Sequence, residues 1–197
     1  MDKKFENYLF ENARVKTKHL KELMELTIVA EYGKGEFLLS QGQVCKHAFF
    51  VEKGLLRFYS IDKAGKEHIV QFAPESWLMS DRGSVFFNLP SEFYIDAVED
   101  SVVYMLDQNF FTKAKNISPE FREYNEFLLH NHIRHMQARI NLLIGASAES
   151  RYMDFIKLYP DLTLRVPQWM IASYLGITPE SLSRVRKDLA KRNFRPQ

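Results

Sequence analysis

The segment Pro167–Arg192 constrains this chain more than any other, because its spacing predicts two short helices joined by a tight turn. Apolar residues recur at intervals of three and four on both sides of Gly176. A glycine there supplies the positive φ that the position after a helix favours. Thr178 is a good N-cap, and Pro179 suits the first helical position. The pattern is typical of a helix-turn-helix whose second helix enters the major groove.

Positive charge is concentrated in the same region. The whole chain has a formal charge of only +2. Residues 146–197 carry nine Lys/Arg and five Asp/Glu, a balance of +4, which leaves −2 (18 minus 20) for the remainder. The densest basic stretch holds Arg184, Arg186, Lys187, Lys191, Arg192 and Arg195. Because phosphate contacts need such charge, DNA binding is favoured over the alternative, an ordinary corner between two helices.

The first part of the chain has a different periodicity. Residues 1–30 predict a short helical lead-in, and from Tyr32 the apolar period changes to two. Two hairpins are predicted, one joining Ala48–Val51 to Leu55–Tyr59 and one joining Phe93–Val98 to Val102–Leu106. Many short strands without helices between them favour a β-barrel or jelly roll, so the fold class is predicted to be α+β.

A long helix is predicted to follow, starting with Ser118 as its cap and ending at Gly145. Apolar residues along it step by four, three, four and three, which is the spacing of a coiled-coil seam. This seam consists of Leu129, Ile133, Met136, Ile140 and Leu143. We expect it to form a dimer interface; the alternative is that the helix covers only its own barrel. The predicted division is a β-roll sensor domain at 1–117, a dimerisation helix at 118–145 and a helix-turn-helix domain at 146–197.

Several classes of protein are disfavoured by composition. Cys45 is the single cysteine, so an intrachain disulfide or a Cys-ligated cluster is not expected. His47 and His68 are isolated and no Ser/His/Asp set stands out, so we do not expect catalysis. His130, His132 and His135 cluster on the long helix, but no nearby residue clearly offers the further ligands that a metal needs, so we expect no metal site. No apolar run has the length of a membrane span, and the N-terminus lacks a signal-peptide core. The sequence thus predicts a cytoplasmic protein without a membrane partner.

Taken in order, three motifs give the chain a clear resemblance to a known family. They are Tyr32–Gly42, Val51–Tyr59 and Ile177–Val185, with the long helix between the second and the third. The chain resembles the Crp/Fnr family of bacterial transcription regulators. The resemblance implies a cyclic-nucleotide-binding-like β-roll, a homodimer, double-stranded DNA as partner, and RNA polymerase as a further candidate partner. Family members continue into a β-wing where this sequence ends at Gln197, so we expect a head that lacks a full wing.

The resemblance also suggests roles for individual residues of the second helix. A glutamate and an arginine four residues later commonly contact base edges in the family, and they correspond to Glu180 and Arg184. A carboxylate can accept from cytosine N4, and arginine can bind guanine O6 and N7 together. An arginine that the family carries just before that glutamate is replaced by Pro179, so a different base preference is expected. The predicted DNA-contacting set is Gln168, Thr178, Glu180, Ser181, Ser183, Arg184 and Lys187, with Ser181, Ser183 and Lys187 assigned to phosphates.

The effector site departs from the family pattern. Cyclic-nucleotide binders have a Gly-Glu pair and an Arg-Ser pair that holds the phosphate, and the latter falls here on Ser91-Glu92. A carboxylate beside a phosphate repels it, so cyclic AMP is disfavoured and no cofactor is expected. The candidate pocket, for an apolar ligand or for none, comprises Glu75, Ser76, Trp77, Leu78, Arg82, Ser91 and Phe93. Two alternative functions remain: a ligand-sensing or protein-interaction module with a degenerate DNA-binding head, and a cyclic-nucleotide-responsive regulator.

Overall fold

A computed structural model describes residues 3–193 of the chain; the predicted basic residue Arg195 and the chain end at Gln197 lie outside them. The described residues form two compact units. The first comprises the chain up to Ile61 together with Val70–Asn131. The second comprises Asp62–Ile69 and the residues from His132 on.

The N-terminal lead-in is helical, as predicted. It consists of α1 (Lys4–Asn7), a π-helical segment (Tyr8–Asn12) and α2 (Thr17–Met24). Phe5 is fully buried and stacks on Tyr104 at a centroid distance of 4.6 Å. The buried Glu52 carboxylate accepts hydrogen bonds of 2.9 Å from the backbone N–H groups of both Lys4 and Phe5. This carboxylate satisfies donors that the start of a helix leaves free, and it fixes the lead-in to the roll.

The first unit contains a two-sheet β-roll, which confirms the predicted fold class. Its strands are β1 (Ile28–Tyr32), β2 (Phe37–Leu39), β3 (Ala48–Lys53), β4 (Leu56–Ile61), β5 (Glu67–Ala73), β6 (Leu78–Met79), β7 (Tyr94–Ala97) and β8 (Ser101–Leu106). One sheet has the order β1-β8-β3-β6 and the other the order β2-β7-β4-β5. Alternate residues of the two sheets, such as Phe49, Leu56 and Ile95, meet in a shared core.

Both predicted hairpins are wrong. Strand β3 pairs with β6 and β8, whereas β4 pairs with β7 in the other sheet. Likewise, β7 and β8 lie in different sheets. The short links at Gly54 and at Asp100 therefore carry the chain from one sheet to the other. Two strands that face one core from opposite sheets have the same apolar alternation as a hairpin, so the local pattern cannot distinguish the two arrangements.

Three helices complete this part of the chain: α3 (Arg82–Phe87), α4 (Gln108–Ile117) and α5 (Pro119–Gly145). The Ser118 hydroxyl accepts a 3.2 Å hydrogen bond from Phe121 N, so Ser118 is the N-cap of α5, as the sequence predicts. Phe110 and Phe121 pack at the junction of α4 and α5, in a second apolar cluster that also contains Phe5 and Leu9.

The second unit is helical. After the C-terminal part of α5 it contains α6 (Ala148–Leu158), α7 (Leu162–Arg165), α8 (Gln168–Leu175) and α9 (Pro179–Asn193). Its buried apolar residues include Phe155, Tyr159, Leu162, Ile171, Ala172, Leu175 and Leu182. No helix among the described residues combines the length and the apolar character needed to span a membrane.

The link at Gly54 yields a prediction for stability. Gly54 has φ of 96°, and a Cβ there would lie 2.7 Å from the carbonyl oxygen of Asp100, a backbone atom that cannot turn away. Gly54→Ala is therefore expected to lose about 1–2 kcal/mol from the left-handed conformation and about 1–3 kcal/mol more from overpacking. The free energy of unfolding in urea measures this loss.

The matched control is Gly35→Ala. Gly35 has a similar φ of 83°, but nothing lies within 4 Å of the added Cβ. Only the conformational part of the loss, about 1–2 kcal/mol, is expected there. Equal losses for the two variants would show that close packing at Gly54 is not what makes the link between the sheets specific.

Candidate nucleic-acid interface

Helices α8 and α9 are joined by the turn that the sequence predicts. Gly176 adopts the left-handed conformation at φ 65° and ψ 36°. Its N–H donates to Ser173 O at 3.1 Å, and the next N–H, of Ile177, donates to Ala172 O at 3.0 Å. These bonds end α8 within one residue, and Pro179 begins α9 three residues later.

Packing of the two helices fixes which face of α9 points outward. Leu182 is fully buried, and Ala172 on α8 is 1% exposed. Small and apolar residues on the inner faces let the helices cross closely, so the opposite face of α9 must face solvent. Four of the predicted contact residues lie on that face at spacings of three and four, and all are exposed: Glu180, Ser183, Arg184 and Lys187.

The start of α9 is held by side-chain capping. Ser181 N donates to the Thr178 hydroxyl at 3.2 Å, so Thr178 is the N-cap of α9, as the sequence predicts. The pKa of Glu180 lies below its ordinary value, because its carboxylate accepts a hydrogen bond from its own backbone N–H and another from the Thr178 hydroxyl. Glu180 is therefore an ionised acceptor at neutral pH. Thr178 is exposed and Ser181 half-buried, and Gln168 is exposed in the first turn of α8.

Three arginines of the second unit have roles that the sequence analysis missed. Arg192 makes a two-pronged ion pair with Glu149 on α6, at 2.9 Å and 2.5 Å, which raises the pKa of Arg192 and lowers that of Glu149. Arg139 Nη2 donates to Tyr174 O at 2.9 Å, and Arg151 Nη1 donates to Leu175 O at 2.7 Å. The partners are 24 to 43 residues apart in the chain, so no local spacing signals them.

The predicted dimer seam is a row of apolar side chains on the surface of α5. Leu129, Ile133, Ile140 and Leu143 are between 40% and 56% exposed, and Met136 is half-buried. Exposure of one apolar side chain is ordinary, but a row at heptad spacing is the pattern of helices that pair. The seam residues are therefore available to a second chain.

One residue of the predicted effector site, Ser91, bonds within the chain rather than facing an open pocket. The Ser91 hydroxyl donates to Asp81 Oδ2 at 2.7 Å, and Ser84 N, in the first turn of α3, donates to Asp81 Oδ1 at 3.0 Å. All three residues are buried. A carboxylate of the chain itself thus occupies both a hydroxyl and a backbone donor.

Three other predicted pocket residues have contacts elsewhere in the chain, and two more are exposed. Glu75 Oε1 accepts from Gly54 N at 3.1 Å, and Phe93 packs on Phe58 at a centroid distance of 4.5 Å. Trp77 packs against the core between the sheets. Ser76, which has a positive φ of 67°, and Arg82 are both exposed.

Leu78 lines a small cleft between the lead-in and the first part of α5. Tyr8 and Tyr124 form part of its wall. The pKa of Tyr8 is raised, mainly by burial and to a lesser extent by the nearby Tyr124. The cleft has a volume of about 10 Å³, which is room for one water molecule. Among the described residues, no group of three or more His, Cys, Asp or Glu side chains could hold a metal ion.

The β-roll, the long helix and the helix-turn-helix follow one another along the chain in the predicted order. Residues 29–116 match the family model of the cyclic nucleotide-binding domain. Over 163 residues the chain is 26% identical to Electron transport regulator A of Shewanella oneidensis and 28% identical to the Transcriptional activator protein anr of Pseudomonas aeruginosa. Over most of its length the chain is therefore similar to bacterial regulatory proteins, and residues 29–116 match the cyclic nucleotide-binding domain.

These matches cover 77% of this chain and 64% and 66% of the two relatives, slightly less than two thirds of their length. Their names describe regulators and not enzymes. The fold is also that of FixK2 from Bradyrhizobium japonicum, with a TM-score of 0.72 and 20% identity, over 85% of this chain and 86% of that one.

Proposed function

We propose that the chain is a homodimeric, sequence-specific DNA-binding transcription regulator. The observation that carries this proposal is the exposed polar face of α9, where Glu180 and Arg184 stand one turn apart beside Ser183 and Lys187. A helix with a buried apolar stripe and such an outer face has the size and chemistry to enter a major groove. The resemblance to the Crp/Fnr family and the similarity to bacterial regulators support the same function.

Within this proposal, Glu180 and Arg184 contact base edges. Glu180 is exposed on the outer face of α9, where its carboxylate can accept from cytosine N4. Thr178 and Ser181 are partly used in capping α9, so their part is to hold the helix start and to contact phosphate. Gln168, Ser183 and Lys187 complete the phosphate contacts, which position the helix without specifying a sequence.

The dimer part of the proposal rests on the exposed α5 seam. A second copy is the partner that fits a heptad row, because it presents the same row to the first. Two recognition helices would then contact half-sites about 34 Å apart on a pseudo-palindromic site. Residues 1–117, 118–145 and 146–197 would serve as sensor, dimerisation helix and DNA-binding head. RNA polymerase is a further proposed partner, suggested by the family alone.

We further propose that the β-roll does not respond to cyclic AMP. The Ser91 hydroxyl and the first-turn N–H of Ser84, which could both bind an anion, already donate to Asp81. A cyclic phosphate at this place would be repelled by the buried carboxylate of Asp81. Glu92, which follows Ser91 in the sequence, would add to the repulsion. A protein–protein module with a degenerate head remains the alternative that DNA binding would exclude.

The first experiment is selection of bound sequences from a random DNA pool by the purified protein without added ligand. Enrichment of a two-fold-symmetric site supports a dimeric DNA-binding regulator. Absence of enrichment by a folded dimer, also at low salt, contradicts the proposal and favours the degenerate-head alternative.

Arg184→Ala is expected to weaken binding to the selected site by about 1–3 kcal/mol and to relax the preference at one base pair, because a two-pronged contact to guanine is lost. Titration of wild type and variant against sites that carry each base at each position measures both effects.

The control is Arg192→Ala, which removes the same charge from the same helix. Arg192 is paired with Glu149, so we expect its loss to leave the base preference intact. If Arg184→Ala instead weakened all sequences equally, Arg184 would be a phosphate contact and the assigned role would be wrong.

Ile140→Glu tests the seam. Ile140 is 56% exposed, so a glutamate there is tolerated in a monomer, but two of them would face each other across a dimer. We expect the variant to sediment as a folded monomer at concentrations where the wild type is a dimer. Gln137→Glu, an equally charged change at another exposed position of α5, should remain dimeric. A dimeric Ile140→Glu variant would place the interface elsewhere.

Cyclic AMP should not stabilise the protein. A ligand present at 100 times its dissociation constant adds about 2.7 kcal/mol, which would raise the Tm of a chain of this size by about 5–10 °C. We expect no rise in thermal unfolding experiments with cyclic AMP at about 1 mM. A rise of that size would establish a cyclic-nucleotide-responsive regulator instead.

A further inference from the structure

Arg139 lies on α5 and contacts two other segments of the second unit, α8 and the part of β5 that ends at Ile69. Its Nη2 atom donates to Tyr174 O on α8 at 2.9 Å and to Ile69 O on β5 at 3.1 Å. Its guanidinium carbon lies 3.6 Å from the centre of the Tyr174 ring. A planar guanidinium can stack and donate at the same time, whereas a lysine ammonium cannot.

Ser173, next to Tyr174, holds the same strand. Its hydroxyl donates to Glu67 O at 2.8 Å and accepts from Ile69 N at 3.0 Å. We call Ile69, Arg139, Ser173 and Tyr174 the clasp. The clasp joins α5, β5 and the last turn of α8, and all of its residues belong to the second unit.

The clasp acts at the point where the DNA-binding head changes direction. Tyr174 is two residues before Gly176, whose left-handed turn leads to α9. The carbonyl groups of a helix C-terminus carry partial negative charge, which a guanidinium neutralises. Arg139 thereby holds the end of α8, and with it the start of α9, against α5.

The second terminal nitrogen of Arg139, Nη1, is buried and has no hydrogen-bond partner among the described residues. A buried donor without a partner lowers stability, and such cases in native structures call for an explanation.

We infer that Arg139 is a positioning residue that fixes the orientation of the recognition helix α9 relative to the dimerisation helix α5. This inference rests on the proposed function. In a dimer built on α5, a fixed orientation makes the two heads match half-sites of one spacing. Arg139 thus acts on the spacing of the site and leaves the base preference to Glu180 and Arg184.

Arg151 provides a matched comparison. It also donates to the end of α8, at Leu175 O, but from α6, so it links α8 to a helix that follows α5. Both arginines also have one buried nitrogen without a partner, Nη1 in Arg139 and Nε in Arg151. Loss of Arg151 should therefore perturb the fold to a similar degree without releasing α8 from α5.

The experiment compares wild type, Arg139→Gln and Arg151→Gln as full-length proteins on two DNA duplexes. One duplex carries the selected symmetric site, and the other carries the same half-sites moved apart by two base pairs. For a turn of 10–10.5 base pairs, this insertion rotates one half-site by roughly 70° around the duplex relative to the other. For the wild type we expect the affinity ratio between the duplexes to be about 100. Arg139→Gln should lower the ratio to below about 10, and Arg151→Gln should leave it near the wild-type value.

The ratio separates positioning from stability. A variant that is only destabilised loses affinity for both duplexes equally and keeps the ratio, and that result for Arg139→Gln would overturn the inference. Thermal unfolding and sedimentation verify that each variant is folded and dimeric. If Arg139→Gln does not fold, Arg139→Lys replaces it, with a reduced ratio expected because lysine cannot stack on Tyr174 while donating to both carbonyl groups.

Failure of the proposed function has a different signature. If the wild type itself selects no two-fold-symmetric site, the proposed function fails and this inference fails with it. If the wild type discriminates between the spacings and Arg139→Gln does so equally well, only the inference is wrong.

Discussion

Burial of Leu182 against α8 is the constraint on which the helix-turn-helix depends. Because this side chain is fully buried, α9 has only one possible inner face. The polar residues on the opposite face, which recur every three or four positions, must therefore face solvent. Gly176 makes this packing possible by reversing the chain within a left-handed turn. The guanidinium groups of Arg139 and Arg151 then fix the end of α8. Exposure of Glu180 and Arg184 therefore follows from how the core is packed.

In the first unit, buried charged side chains bind the starts of helices or pair with an opposite charge. Glu52 holds the start of α1, and Asp81 holds the start of α3. Arg57 and Asp96, on neighbouring strands of one sheet, form a buried ion pair with N–O distances of 2.7 and 2.8 Å. Each of these charges is compensated by donors or by an opposite charge, as burial requires. The carboxylates thereby tie the helical segments to a roll whose sheets are held mainly by apolar packing.

Local patterns predicted what depends on neighbours in sequence. The turn at Gly176, the caps at Thr178 and Ser118, and the extent of α5 all depend on residues within a few positions, and the structure has them there. The two hairpins failed because strand pairing in a roll depends on distant segments: β3 lies beside β8, about 50 residues later in the chain. The partners of Arg139 and Arg192, and the contact of Ser91 with Asp81, were missed for the same reason. A hydrogen bond to a carbonyl group leaves no mark on the identity of the accepting residue.

The contact of Asp81 with Ser84 and Ser91 has a consequence for signalling. A ligand informs a protein through occupancy, since its bound fraction changes with its concentration. A carboxylate that is part of the chain is present at the same effective concentration under all conditions. While Asp81 holds these two donors, they are not free for a ligand. A metabolite could act through that corner only by displacing Asp81 from both donors.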